Sequence, residues 1–434
     1  MDLVAQLIDR HFARTNGELV VGEYPISALA AMYGTPLFVH HRAALDRKWE
    51  RLRSALPQEF QIYYSVKANP VLGLLRHYLQ KGSGLEIASG GEFHLALRAG
   101  CPPDRILFAG PGKTDQELEL VIKQEIGEIH VESLKEIERV SAISRRLGKT
   151  ARISLRINPS GEAQGGAMRM GGKPAAFGID EEQLDAALDL ARRRPSLALH
   201  GAHLFAGTQI LDHTILLTQY RKGIEIAMRM GARLGRPIRT LDFGGGLGIP
   251  YFPQDQELNL LELQVGLERL MADIQQEPLL KGIRFIVEPG RFLVGEGAVY
   301  VSRVTDVKVS RGKTFVILDG GMHHHLAASG NLGQTIKRNF PMALVNKLNR
   351  PNGEAVTVAG PLCTPLDTIG RDVLLPQVDV GDLVGVFQAG AYTRSASPVG
   401  FLSHPTPPEI FVSGTTCQVL RRRGTYDDLH LDML

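Results

Sequence analysis

Apolar positions along this chain fall into short runs separated by segments of helical period. The runs are IYYSVKA (62–68), GLEIAS (84–89), RILFAG (105–110), EIHVES (128–133), ARISLRINP (151–159), LHGAHLFAG (199–207), RTLDFGGG (239–246) and IRFIVEPG (283–290). Between them, stretches such as EEQLDAALDLARR (181–193) and TQYRKGIEIAMRMGARLG (218–235) repeat apolar residues every three or four positions. Eight such alternations over about 250 residues predict a (β/α)8 barrel of the TIM type; an open doubly wound sheet would not need eight units. After about residue 295 the helical period stops. Strand-like runs follow at 298–309, 313–321, 354–360, 382–388 and 409–420, predicting a mostly β second domain. Residues 1–35 predict an amphipathic helix, a short strand near Leu19–Val21 and a second helix ending at Gly34. The expected organisation is an α/β barrel over 36–294 and a β-rich domain built from 1–35 and 295–434, with the preamble adding a strand to it. Two glycine-rich stretches, 159–178 and 323–334, break the pattern, and the first is expected to lie over the barrel mouth.

Polar residues interrupt the runs at one end. Lys67, Glu86, Arg156, His203, Gly244–Gly246, Glu288 and Arg291 all sit at or just past the C-terminal ends of the β runs, the face on which barrels build active sites. A lysine ending an apolar strand either snorkels to water or is paired or shifted in pKa; the latter suits an amine that attacks a carbonyl, hence Schiff-base chemistry. GGGLG (244–248) suits backbone approach to a phosphate, although it reads equally as a tight loop. EPGR (288–291) ends the eighth run in a carboxylate that needs a partner: Arg291, or, if the phosphate-bearing cofactor is pyridoxal phosphate, its ring nitrogen, or both at once. GPLC (360–363) sets Cys363 behind a Gly-Pro turn, which would display its thiol as an acid–base group. Three adjacent histidines (323–325) cannot all face one ion on regular backbone, so substrate or partner contact is expected of His323, and no metal.

Composition narrows the class. The net charge is +3 over 434 residues, with 44% hydrophobic and 22% charged positions, and no basic block suited to nucleic acid. No apolar run approaches the roughly 18 residues of a membrane span, and the N-terminus lacks a secretory pattern. Three scattered cysteines form neither a disulfide framework nor a zinc pattern. A cytoplasmic protein with reduced thiols is expected.

The motifs YYSVKANP, GLEIASGGE (84–92), FAGPGKT (108–114), RINP (156–159), GTQ (207–209), GGGLG, EPGR, GPLC and GAYT together resemble the fold type III pyridoxal-phosphate decarboxylases, the diaminopimelate and ornithine decarboxylase family, over nearly the whole chain. The resemblance implies α-decarboxylation of an L-amino acid or a conjugate of one, pyridoxal 5'-phosphate as cofactor, and a homodimer with shared active sites. It implies that Lys67 holds the cofactor as a Schiff base and that Glu288 meets its ring nitrogen. Gly244, Gly245, Gly246, Arg291, Tyr392 and Thr208 would surround its phosphate, with Glu86, Arg156, His203 and Phe205 about the ring. Cys363, from the partner subunit, would return the proton.

Departures from the diaminopimelate branch fall on substrate contacts. Phe205 stands where the family has a stacking histidine, Thr364 follows Cys363 in place of an acid, Ala327 lies near the position of an arginine, and the tyrosine expected after GAY is missing. A substrate other than free diaminopimelate is therefore expected, such as a larger conjugate on a carrier protein or a natural-product or siderophore precursor. Asp367 is the nearest carboxylate that could rebuild a substrate contact. A related racemase would pair the ring nitrogen with arginine rather than Glu288, and a non-catalytic homologue should have lost Lys67 or Cys363.

Overall fold

Eight parallel strands close on themselves: β1 (Phe60–Ser65), β2 (Gly84–Ile87), β3 (Ile106–Phe108), β4 (Glu128–Val131), β5 (Ala151–Asn158), β6 (Leu197–Leu204), β7 (Thr240–Asp242) and β8 (Arg284–Val287). β4 pairs with β5 and β8 with β1, so the ring has no edge. The computed structural model describes residues 2–160, 168–169 (backbone only), 174–205, 207–332, 334, 336–351 and 353–434. Most of the 159–178 stretch expected over the barrel mouth lies outside the described residues. No helix among them is long and apolar enough to cross a membrane.

The strands form because their residues are apolar on both faces, as a ring buried on both sides requires; every position of β2, β3 and β4 is buried. The helices between them start at side-chain caps. Ser89 and Ser133 accept from the N–H groups of Glu92 and Glu136, and Thr114 and Glu117 cap one another reciprocally. At the N-terminal end of the ring, buried Glu128 on β4 accepts from Ser154 of β5 (2.5 Å), Thr240 of β7 (2.6 Å) and Arg284 of β8 (2.6 Å). Burial alone would raise this carboxyl; His200, His130 and the two hydroxyls outweigh it and hold it at about 2.

The chain divides into two compact units. The barrel is Arg51–Ile249 with Glu257–Gly290, and the β-rich unit is Met1–Glu50 with Pro250–Gln256 and Arg291–Leu434. Residues 36–50 thus group with the β-rich unit instead of the barrel. Leu37–His41 is a strand between Ala298–Ser310 and Glu409–Ser413, and its Leu37 and Val39 join Val299, Val301, Ile410 and Val412 in that unit's core. The strand lent from the N-terminal side is therefore this one. Glu18–Val21 instead forms a small sheet with Ala13–Thr15 and Tyr24–Pro25.

Candidate active site

β1 ends at Ser65, and a single tight turn, Val66–Ala68, carries Lys67 off the strand. Tyr64 Oη donates to the Asn69 carbonyl (3.0 Å), and Asn69 Oδ1 accepts from Val71 N (3.2 Å), fixing that turn. Val66 and Ala68 are buried while the Lys67 side chain remains 41% exposed. Its Nζ lies 2.9 and 2.8 Å from the two oxygens of Glu86 on β2, which also accepts from Ser65 Oγ. The amine is thus held by a buried carboxylate yet open on one side.

Across the ring, four buried groups converge from four strand ends. One ring nitrogen each of His130 (β4) and His203 (β6) and one carboxyl oxygen each of Asp242 (β7) and Glu288 (after β8) all lie within 4.8 Å of one another. The two imidazoles stack with ring centres 4.3 Å apart, and His203 Nε2 stands 3.4 Å from Glu288 Oε2. Burial, then the neighbouring His203, pushes His130 down to about 3; burial, then the Arg156 charge, pushes His203 well below its usual range. Both rings are neutral near pH 7, so their contacts with carboxylates are not ion pairs. Burial and the Glu288 charge raise Asp242 well above the carboxylate range, so it keeps a proton. The Asp242 carboxyl hydrogen-bonds Glu288, and among the described residues no other donor reaches Glu288 Oε1. A buried carboxyl pair with so few donors around it suits one protonated ring nitrogen.

The glycine loop lies beside this cluster. A Cβ on Gly244 would sit 2.5 Å from the Leu204 carbonyl, and one on Gly246 would sit 2.9 Å from that of Gly207; both have positive φ (+68° and +100°). The loop therefore lies against Leu204, Phe205 and Gly207, and Thr208 follows Gly207 directly. Arg156 on β5 donates to Glu132 (2.7 Å) and faces the rings of Phe177 (5.1 Å) and Phe205 (5.9 Å). Burial would raise Glu132, but Arg156 and Lys113 lower it.

The remaining candidates belong to the β-rich unit. Arg291 donates to Tyr251 Oη (2.9 Å) and lies 4.7 Å from the Tyr392 ring; its buried Nε has no acceptor among the described residues. Tyr392 holds a left-handed backbone (φ +54°), an uncommon conformation for a bulky side chain. Cys363 is exposed. Asp367, expected near substrate, serves the backbone instead. Its oxygens accept from Met322 N (2.7 Å) and Leu362 N (2.9 Å), clamping the turn that displays Cys363. His323 is fully buried against His324 (3.6 Å) and His404 (5.0 Å), so it is not displayed to a substrate. Burial, with His404, lowers it to about 4. His130 and Asp242 were missed in the sequence; their signal was a polar residue inside an otherwise apolar barrel strand.

Residues 42–295 match the family model of the pyridoxal-dependent decarboxylase, pyridoxal binding domain. The chain belongs to the pyridoxal-dependent decarboxylases. It is 38% identical over 410 residues to the L-glutamyl-[BtrI acyl-carrier protein] decarboxylase of Niallia circulans, covering 93% of this chain and 95% of that one. It is 33% identical over 425 residues to the diaminopimelate decarboxylase of Archaeoglobus fulgidus (96% and 97%). The crystal structure of the diaminopimelate decarboxylase of M. jannaschi superposes with a TM-score of 0.89 at 26% identity, covering 99% and 98%. This decarboxylase is a carboxy-lyase acting on an amino acid or amino-acid conjugate, and its cofactor is pyridoxal phosphate. Its residues fit that group: a buried Glu288 oxygen that no donor but the Asp242 carboxyl reaches among the described residues, a glycine loop that side chains would fill, and an accessible lysine beside a carboxylate.

Proposed function

We propose that this decarboxylase removes the α-carboxyl group of an amino acid held in a larger conjugate, an aminoacyl carrier protein above all, in preference to free meso-diaminopimelate. One observation carries the reading. Positions 327 and 364 are uncharged, and the nearest substitute, Asp367, has both oxygens committed to backbone N–H groups. A distal ammonium and carboxylate brought to such a site would be desolvated without partners, at about 1–3 kcal/mol each. The higher identity to a carrier-protein decarboxylase than to a diaminopimelate decarboxylase agrees with it.

In this reading Lys67 anchors the cofactor, with Glu86 orienting its amine. Glu288 holds a proton on the ring nitrogen, with the raised Asp242 carboxyl hydrogen-bonded beside it. Gly244, Gly245, Gly246 and Thr208 offer the phosphate backbone and hydroxyl donors, and the resemblance adds Arg291 and Tyr392 around it. Phe205 lends an apolar ring face, with Arg156 and His203 behind it. When bound, the cofactor supplies the sink for the electron pair left on Cα as carbon dioxide departs. Cys363 returns a proton to that carbon. We further assign the working form as a homodimer, in which the exposed Cys363 serves the site of the second copy.

Steady-state release of carbon dioxide tests the substrate. An aminoacyl carrier, L-glutamyl first, is expected to exceed free diaminopimelate in kcat/KM by at least about 100-fold, the loss of two unpaired groups at about 1.4 kcal/mol each. A diaminopimelate value of about 10⁴ M⁻¹s⁻¹ or above, in the ordinary enzymatic range, overturns the reading.

A further inference from the structure

A cavity of about 560 Å3 opens in the β-rich unit, and none of the site residues assigned above lines it. That volume is in the range of small-molecule sites and well beyond a single inorganic anion. Three cations, Lys337, Arg338 and Arg371, border it against one carboxylate, Asp372. All three are exposed, and among the described residues none of them forms an ion pair. The Arg338 guanidinium carbon lies 3.5 Å from the centre of the Phe252 ring, which holds this exposed cation at the cavity. The walls are fixed to each other. Asn339 Nδ2 donates to the Arg371 carbonyl (2.6 Å), and Arg371 N donates to Asn339 Oδ1 (2.9 Å). A fork donor stacked on an aromatic ring, with two further cations at the same opening, is the arrangement that recognises a phosphate ester.

We infer that this cavity seats the phosphodiester, and the neighbouring part of the chain, of the pantetheine-type arm that tethers an aminoacyl group to its carrier. The inference rests on the carrier reading above. A carrier arm joins its protein through a phosphodiester, with an amide-bearing chain between it and the thioester that holds the acyl group. The three cations answer the one negative charge, and the remaining volume, bordered by Ser329, Thr368 and Asn339, takes the amide chain beside it. Binding energy gained there, away from the bond that breaks, would favour the tethered substrate over the free amino acid by lowering KM.

The test compares two thioesters of the same amino acid, one on phosphopantetheine and one on pantetheine without the phosphate. Each is measured with the cofactor-loaded wild type, with Lys337→Gln/Arg371→Gln, and with Arg338→Gln. The wild type is expected to prefer the phosphorylated thioester by at least tenfold in kcat/KM. Each variant should shrink that ratio at least severalfold through KM, with an unchanged melting temperature. If the variants keep the wild-type ratio, the cavity assignment falls while the carrier reading stands. Should the wild type process neither thioester nor the aminoacyl carrier, the carrier reading fails and takes the cavity with it. If the ratio is lost only because the variants sediment as monomers, the cavity is an interface between copies and the inference is overturned.

Discussion

At the scale of single residues, the proposed function turns on Glu288. Burial keeps both histidines of its cluster neutral, the Asp242 carboxyl is raised and hydrogen-bonded to Glu288, and no further donor among the described residues reaches Glu288 Oε1. Glu288→Gln keeps the shape but removes the charge. It is expected to retain bound cofactor and to lose on the order of 10²–10³ in kcat, the usual cost of deleting a preorganised electrostatic group. Turnover within tenfold of wild type, at equal cofactor content, would contradict that role. Lys67 and Glu288 were legible in the sequence because a charge at the end of an apolar strand is conspicuous. His130 and Asp242 were not, because each sits within a run and only ring closure brings them face to face.

The same contrast holds for elements. The eight apolar runs correspond to β1 through β8, since a strand buried on both faces has a local signature. Thr368–Leu374 had none: its Gly370, Arg371 and Asp372 interrupt the apolar pattern, and pairing with Ala355–Ala359 makes it a strand. Leu37–His41 is apolar enough to notice, but its partners lie more than 250 residues away, and local pattern does not reveal them. The turn at Gly360–Cys363 was readable as a turn, whereas its clamp, Asp367, looked like a substrate contact. The proposed role of this turn toward a second copy can be tested by mixing. Lys67→Ala and Cys363→Ala are each expected to be nearly inactive. A one-to-one mixture of subunits, allowed to re-pair, should recover about a quarter of wild-type activity, since half the dimers are mixed and each has one intact site. No recovery from verified mixed dimers would remove the shared site.

For the whole molecule, the burial of neutral histidines sets the response to acid. His130, His203, His323, His324 and His325 are all buried with lowered pKa, to about 3 for His130 and His325 and about 4 for His323, burial being the largest cause throughout. An unfolded histidine binds a proton near pH 6.5 that these do not bind in the fold. Stability is therefore complete above that pH and lost as pH falls from about 6.5 toward 4. Each histidine contributes up to about 1.4 kcal/mol per pH unit. Below about pH 4.5 the depressed carboxyls of Glu128 and Glu409, each at about 2, add to the loss in the same direction. The urea midpoint of the cofactor-loaded enzyme should fall steeply between pH 6.5 and 5; a flat profile across that interval would show that these rings protonate in place.

In the proposed function the strand ends of the barrel carry the chemistry and Lys67 is its anchor, and every other assigned role depends on that placement. Borohydride reduction of the cofactor-loaded wild type, followed by peptide mapping, tests this most directly. The expected result is cofactor fixed at about one per chain, on the peptide containing Lys67. Label on any other lysine, such as Lys48 or Lys113, would contradict it.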